Sequence, residues 1–381
     1  MSMNTKIIIG VDGNEANREN RVGVNTYAYE TLRAMHKLQD EWSGTYAFKI
    51  YLKDSPLPHM PKSSESWEYQ VLPGHGLWII KTLMPFLYTE KNKPQILWSP
   101  SHYVAPFSPQ PKICSIMDLG YLEFSEQFTK KDFWQLKLWT AWSLLVSKKV
   151  ISISETTRKD IVRHYPFTRN KVTTTLLGYD SELYNKSLSE SKVNLVKRKY
   201  GLKDYVIFMS TLKPSKNVEG LIHAWKQVVK QFPHYKLVIA GKKGWLYESI
   251  FEIVKTNHLE SSVVFTDFVP EEEKPYLIKG AQLFVLPSFW EGFGLDVLSA
   301  LAMGIPVVVS NRGSLPEVVR EAGVVVDPKD NNSISNGILK VLLLTNAEKK
   351  SLITMGFARA SEFSWEATAR KTLSVLQSAI K

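Results

Sequence analysis

Apolar residues along this chain fall into short unbroken runs that alternate with longer stretches in which they recur every three or four positions. In the first half the unbroken runs predict strands at Lys6–Asp12, near Ala47–Leu52 and Tyr69–Leu72, and at Ile96–Ser99, Ile113–Ile116 and Val150–Ile153. The periodic stretches between them predict helices over Asn25–Leu38, Trp78–Tyr88, Lys131–Ser147 and Glu155–His164. A polar stretch, Ser181–Ser191, and a Lys-rich helix ending at Tyr200 then interrupt the pattern. It restarts with strands at Val206–Ser210, Leu237–Gly241, Val263–Thr266, Ala281–Leu286, Val307–Ser310 and Val324–Asp327. Strands alternating with helices imply a parallel sheet covered on both faces. The fold class expected is therefore α/β, with two Rossmann-like doubly wound domains and a linker within residues 181 to 200. A final helix, Trp365–Ile380, carries Trp365, Ala369, Leu373, Leu376 and Ile380 at helical spacing and needs a surface for that stripe. The expected division is 1–190, 191–362, and a helix at 363–381 crossing back to the first domain.

Two strand-to-helix loops in the second half carry candidate chemistry. In the first, the run ending at Leu286 stops at Pro287, and a helix-like run begins at Leu295 after Glu291, Gly292, Phe293 and Gly294. A helix N-terminus offers unpaired N–H groups to an anion, and glycines let backbone approach a ligand closely. Glu291 can accept hydrogen bonds from hydroxyls on that same ligand, and an anion beside a polyol describes a nucleotide sugar. The bland alternative is a tight turn whose acid only caps the helix. The second loop, Thr211 to Asn217, follows the strand Val206–Ser210; Ser215 is a candidate helix cap, and Lys213 and Lys216 suit a diphosphate. Its alternative is a solvated turn. Doubly wound sheets hold ligands at the carboxyl ends of their strands, which places the expected chemistry in an interdomain cleft.

Composition narrows the class. A chain of 381 residues with 44% hydrophobic content is large enough for two cores. No apolar run reaches the roughly 18 residues of a membrane span. The N-terminus runs directly into a strand without a signal-peptide pattern, and the single cysteine, Cys114, excludes an internal disulfide or a cysteine metal cluster. An intracellular, cytoplasmic protein is expected. The net charge of +11 points to an anionic partner. No nucleic-acid motif accompanies it, so phosphorylated ligands or an anionic membrane surface are favoured over nucleic acid. His75–Lys93 and Lys130–Lys149 mix Trp, Phe and Lys in a way that suits a lipid interface, although ordinary domain helices with buried aromatics would read the same way.

The second half resembles the retaining family-4 glycosyltransferases of the GT-B fold, particularly their mannosyltransferase-like group. Ser210 to Asn217 resembles their G-T-L-x-P-R-K-N loop, and Leu237–Gly241 with Gly244-Trp245 resembles L-x-I-x-G-x-x-G-W. Pro287-Ser288 through Leu295, followed by Ala302, Gly304 and Pro306-Val307-Val308, resembles P-S-x-x-E-G-F-G-L…A-x-G-x-P-V-V. Ser314-Leu315-Pro316-Glu317-Val318 and Phe363-Ser364-Trp365 also fit, so the likeness spans nearly all of residues 205 to 370 and continues more loosely through Arg21-Val22-Gly23-Val24, Met117-Asp118-Leu119, Ile153-Ser154-Glu155-Thr156-Thr157 and Gly178-Tyr179-Asp180.

The resemblance implies transfer of a sugar from a nucleotide donor to a glycan or lipid-linked acceptor, with anomeric retention, residues 1–190 being the acceptor-binding domain and 191–362 the nucleotide-sugar donor-binding domain. It implies no metal and no cofactor beyond the nucleotide-sugar co-substrate. Lys216 would stabilise the departing diphosphate, and Glu291 would hold donor sugar hydroxyls. Asp118 would complete the catalytic set. Gly292, Phe293, Gly294 and Leu295 would lend backbone N–H groups, Gly23, Thr211, Lys213 and Ser215 would line the phosphates, and Phe268-Val269 would touch the base. Three departures stand out. Ser299 replaces a second Glu that binds ribose, with Asp296 on roughly the same helix face as a substitute. Met117 replaces the His of a His-Asp pair, and Ser215 replaces an Arg. These departures leave a rival reading, a catalytically degenerate relative that binds nucleotide or a partner without sugar transfer.

Overall fold

The computed structural model describes residues 6–125 and 128–380. The chain divides into two compact units, Met1–Gly178 with Ser364–Lys381, and Tyr179–Phe363.

The first unit is built on seven strands: β1 (Ile7–Asp12), β2 (Tyr46–Leu52), β3 (Trp67–Val71), β4 (Ile96–Ser99), β5 (Lys112–Ile116), β6 (Lys149–Ser152) and β7 (Val172–Thr174). Their order is β3-β2-β1-β4-β5-β6-β7 and every pairing is parallel. Ile9, Val11, Ile50, Ile113 and Ile151 are fully buried, as residues of a sheet covered on both faces must be. The strand β7 has only three residues, too few for a periodic signal, and the sequence reading passes over it. Trp78–Tyr88, expected as one helix, is a π turn over Ile79–Leu83 followed by an α-helix over Met84–Thr89. Pro85 explains the correction: it has no N–H to donate, so the regular ladder cannot run through it.

The helix Trp365–Ile380 packs in this unit against the helix Val24–Lys37 and touches β4 and β6. Trp365, Ala369, Leu373 and Leu376 are buried. The returning chain passes so close to Gly178 that a Cβ there would lie 2.1 Å from the Trp365 nitrogen. Thr368 Oγ1 donates to the Leu176 carbonyl at 2.7 Å, and Arg370 makes two bonds of 2.6 and 2.8 Å to Glu41.

The second unit has six strands: β8 (Tyr205–Met209), β9 (Lys236–Ala240), β10 (Val263–Asp267), β11 (Leu283–Leu286), β12 (Val307–Ser310) and β13 (Val324–Val326). The order is β10-β9-β8-β11-β12-β13, again parallel throughout. Helices over Val218–Gln231 and Leu295–Ala302 lie among its connections, and helices over Asn331–Leu342 and Asn346–Ala360 follow its last strand. Both units are thus doubly wound α/β sheets in which strand order reverses beside the first strand. In the first unit that reversal lies between β1 and β4, and in the second between β8 and β11. Among the described residues no helix is long and apolar enough to cross a membrane.

The docking of the last helix makes a contrast that unfolding can measure. Leu376→Ala should cost about 2–5 kcal/mol, the range for a buried leucine that leaves a cavity. Arg370→Ala, which removes only a solvent-exposed bridge, should leave Tm nearly unchanged. Equal losses in urea or thermal unfolding would show that charge rather than burial holds the helix.

Candidate functional site

The second unit brings its two singled-out loops together at the β8/β11 reversal. After β8, Leu212 forms a bridge with Lys243, and Pro214–Lys216 closes a 3-10 turn. Asn217 then takes a left-handed conformation, φ 54° and ψ 41°, which asparagine tolerates better than most residues. Its buried side-chain amide donates to the Pro287 carbonyl at 3.1 Å and to the Pro328 carbonyl at 2.7 Å. A main-chain bond from Phe289 N to Ser215 O, 2.9 Å, adds a second tie between the loops. Ser215 therefore does not cap the following helix. It sits inside the 3-10 turn, and the helix Val218–Gln231 starts from Asn217 without a side-chain cap.

These ties place the two charged candidates in contact. Lys216 Nζ lies 2.5 Å from Glu291 Oε1, and the Ser288 hydroxyl donates to the same oxygen at 2.8 Å. Oε2 takes no hydrogen bond from the described residues and is left for another donor. The backbone of Glu291 is held in turn by Ser314, whose N–H and hydroxyl both donate to the Glu291 carbonyl, at 3.1 and 3.0 Å. Gly313 runs so close behind it that a Cβ there would meet that carbonyl at 2.5 Å. Gly294 has φ 98° and opens the helix Leu295–Ala302, so the glycine performs the turn that aims the helix N-terminus at the loop. The Phe293 side chain is buried against Phe363, with ring centres 5.8 Å apart; its contribution to a ligand is confined to backbone.

Asp296 and Ser299 do not share an environment. Ser299 is only 5% exposed, inside the packed face of its helix, whereas Asp296 is only partly buried in the first turn. Burial pushes the Asp296 carboxyl up to about 6, and the nearby Glu291 and Glu271 push the same way against Lys274 and Lys216. Tyr184 feels Asp296, Glu271 and Asp180, and its hydroxyl is raised chiefly by burial. Lys213 lies 5.0 Å over the Trp245 ring, with Thr211 beside it where Gly244 packs on Leu212. Phe268 is exposed after β10, whereas Val269 is buried.

Two candidates belong to the first unit. Gly23, with φ 42°, opens the helix Val24–Lys37, and a side chain there would meet nothing within 4 Å. Asp118 Oδ1 accepts from Gly120 N, two residues on, at 2.7 Å. The sequence reading overlooked Ser288, Gly313 and Ser314 as supports of Glu291, and it overlooked the stitching role of Asn217. For Ser288 and Asn217 the signal was their place inside the quoted loops, and for Ser314 it was the segment Ser314-Leu315-Pro316-Glu317-Val318, which also fits the family pattern; for Gly313 there was none. Among the described residues no three His, Cys, Asp or Glu side chains gather as a metal-ligand group.

Residues 194–354, which contain both loops, match the family model for glycosyl transferases group 1. The chain is 34% identical over 232 residues to the O-antigen chain mannosyltransferase B of Escherichia coli. That alignment covers 61% of this chain and 61% of the relative, less than two thirds of either. The fold resembles the sucrose-phosphate synthase of Thermosynechococcus elongatus, with a TM-score of 0.75 and 18% identity over 98% of this chain and 99% of that one. It also resembles Anabaena HepE in complex with UDP-glucose, with a TM-score of 0.75 and 17% identity over 97% and 99%. At these identities the structural likeness concerns the fold, which is GT-B.

The Asp296 environment yields a pH prediction. Its carboxyl binds a proton more tightly folded than unfolded. The stability this confers is fully present below about pH 3.8 and is lost as pH rises towards about 6. Asp296→Asn should therefore melt higher than the parent at pH 7.5, by at most about 3 kcal/mol at roughly 1.4 kcal/mol per pKa unit. The advantage should vanish below pH 4. A variant melting equally at both pH values relative to the parent would contradict the assignment.

Proposed function

We propose that this chain, a member of the GT-B glycosyltransferases with a group 1 domain at residues 194–354, transfers a hexose from a nucleotide-sugar donor to a glycan or lipid-linked acceptor. The reading includes retention at the anomeric carbon, membership of family 4, and catalysis without a metal or further cofactor. The observation that carries it is the Lys216–Glu291 contact of 2.5 Å between two loops that end at neighbouring strands. A cation and a carboxylate held there, beside the helix N-terminus at Leu295, suit a diphosphate and a polyol at once.

In this reading the bond from the anomeric carbon to the diphosphate breaks while the acceptor oxygen bonds to that carbon on the same face. The acceptor proton passes to a departing phosphate oxygen. Lys216 offsets the charge that grows on the leaving group, and the free Oε2 of Glu291 receives donor sugar hydroxyls. Little covalent work falls to the protein; preorganised charge does most of it. Asp296, more accessible than Ser299, takes the ribose or sugar hydroxyls left by the missing glutamate. The Escherichia coli relative is named a mannosyltransferase, which makes mannose the first donor sugar to test.

A peripheral position on an anionic, cytoplasmic membrane face belongs to the same proposal. The helix Lys130–Val146 exposes Trp134, Leu138, Trp142 and Leu145 at helical spacing, and Lys137 lies 5.0 Å over the Trp134 ring. An exposed apolar stripe flanked by lysines suits a lipid interface.

Calorimetry with nucleoside diphosphates and a radiolabelled transfer assay test the reading together. Lys216→Ala should weaken diphosphate binding by about 1.5–3 kcal/mol, the range for hydrogen bonds to charged groups. Glu291→Gln should bind diphosphate at least as tightly as the parent, because a neutral amide competes less for Lys216, and should nevertheless suppress transfer. A Lys216→Ala protein that binds diphosphate like the parent would remove the basis of the proposal.

A further inference from the structure

The chain's positive charge is concentrated in a stretch that the donor site does not use. Between positions 186 and 203 stand Lys186, Lys192, Lys197, Arg198, Lys199 and Lys203 against one acid, Glu190, a net +5 of the chain's +11. Most of these cations lie on the helix Glu190–Lys199 and in the turn that follows it. Where that turn enters β8, an open recess of about 290 Å³ is lined by Asn194, Lys197, Arg198, Leu202, Lys203 and Asp204, all within the second unit. The recess stands at the amino end of β8, whereas Lys216 follows its carboxyl end. The five residues of the strand, roughly 16 Å at about 3.3 Å each, lie between them.

We propose that this recess is a second anion site, which takes a phosphoryl group, either free in solution or on a lipid headgroup. The assignment goes beyond the glycosyl-transfer reading and does not rest on it.

The bland alternative is that cations in a last helical turn only offset the helix dipole. The disposition of the cations argues for more. Lys199 Nζ lies 2.6 Å from Glu273 Oε1, and Lys192 and Lys197 lie over the rings of Tyr276 and Tyr205, 5.6 and 5.9 Å from their centres. The side chains of Arg198 and Lys203, both exposed, make no ion pair or hydrogen bond among the described residues. Those two line the recess, and Lys199 does not.

The turn supplies the second argument. Gly201, with φ 65°, reverses the chain so that Arg198 and Lys203 line the same recess. The same turn removes what makes a helix C-terminus hostile to anions, its bare carbonyls. Those of Val196, Lys197 and Arg198 accept from Tyr200 N, Leu202 N and Gly201 N, at 3.2, 2.8 and 3.1 Å.

Chemistry and size agree. Three cations face one carboxylate, Asp204, in the lining. A guanidinium fork matches two phosphoryl oxygens, and an ammonium adds a further donor. At roughly 30 Å³ per water the recess corresponds to about ten waters, room for a phosphoryl group and a short substituent. Leu195, exposed one turn before Arg198, is the contact that a lipid would add and a free phosphate would not.

The full-length chain is titrated by calorimetry with inorganic phosphate and with glycerol 3-phosphate. Flotation reads its binding to phosphatidylcholine vesicles with and without phosphatidylglycerol. Arg198→Gln and Lys203→Gln should each weaken one of these probes about tenfold, the lower end for hydrogen bonds to charged groups. Lys199→Gln removes the same charge from the same turn but outside the recess, and should change affinity by less than about twofold. All three side chains are exposed, so the variants should melt as the parent does. Weakened binding of a soluble probe identifies a free phosphoryl ligand. Weakened binding of anionic vesicles alone, reproduced by Leu195→Ser, identifies a lipid headgroup. Equal losses in Lys199→Gln and Arg198→Gln would show diffuse attraction rather than a site and overturn the proposal. So would an Arg198→Gln protein that binds every probe like the parent, or one that loses nucleoside diphosphate affinity along with phosphate, which would mean a single shared site.

Discussion

Asn217 is the constraint on which the second unit's site depends. A buried amide whose nitrogen donates to two carbonyls from different loops can be replaced by few other side chains, and its left-handed backbone is what turns the chain into position. With that amide in place, the loop after β8 and the loop after β11 become one surface. Lys216 then meets Glu291, and Ser314 and Gly313 hold the glutamate from behind. Ionic attraction alone would not set this geometry, because a lysine on a flexible stem loses side-chain entropy when it is fixed. The backbone ties carry that cost, and the ion pair uses a position already made.

The same architecture recurs in the first unit with different chemistry. Both sheets are parallel, both reverse their order beside their first strand, and in each the chain leaving that strand carries charged residues at the reversal. In the second unit that chain bears lysines; in the first it bears Asp12, Asn14 and Glu15. A shared scaffold therefore carries cations at one reversal and carboxylates at the other, because the topology decides only where the loops lie and the loop residues decide the charge there.

Carboxyls held above their ordinary range recur at both places. Asp12 and Asp296 each stand near 6, in both cases chiefly through burial. Asp12 ends β1, and Asp296 lies in the first turn of the helix Leu295–Ala302, so both stand at the carboxyl ends of their sheets' strands. The buried Lys49 offers a contrast. Its ammonium lies 2.6 Å from Glu90, which also accepts from Tyr51, so that network is closed within the protein and serves structure.

Much of the fold was legible along the chain, since unbroken apolar runs and helical periods are local consequences of burial on two faces or one. The Pro287–Leu295 and Thr211–Asn217 loops were legible for the same reason: proline, glycine and charge act where they stand. The π turn before Pro85 and the three-residue β7 lay below what a local pattern can reveal. Other features required distant segments to meet. Asn217 reaches a carbonyl 111 positions away, and Ser314 supports a glutamate 23 positions earlier. Asp296 and Ser299 look alike as neighbours on a helix, yet one is partly open and the other is packed inside, because the surrounding elements and not the helix decide what each side chain meets. A cavity in the first unit draws Glu15, Tyr103 and Trp139 from separate connections, so its lining existed nowhere in the sequence as a motif. The sequence determined the elements and the charged loops, since those follow from local backbone and burial preferences. Tertiary structure alone decided which of these residues meet, because contacts at long separation depend on how the sheets are wound.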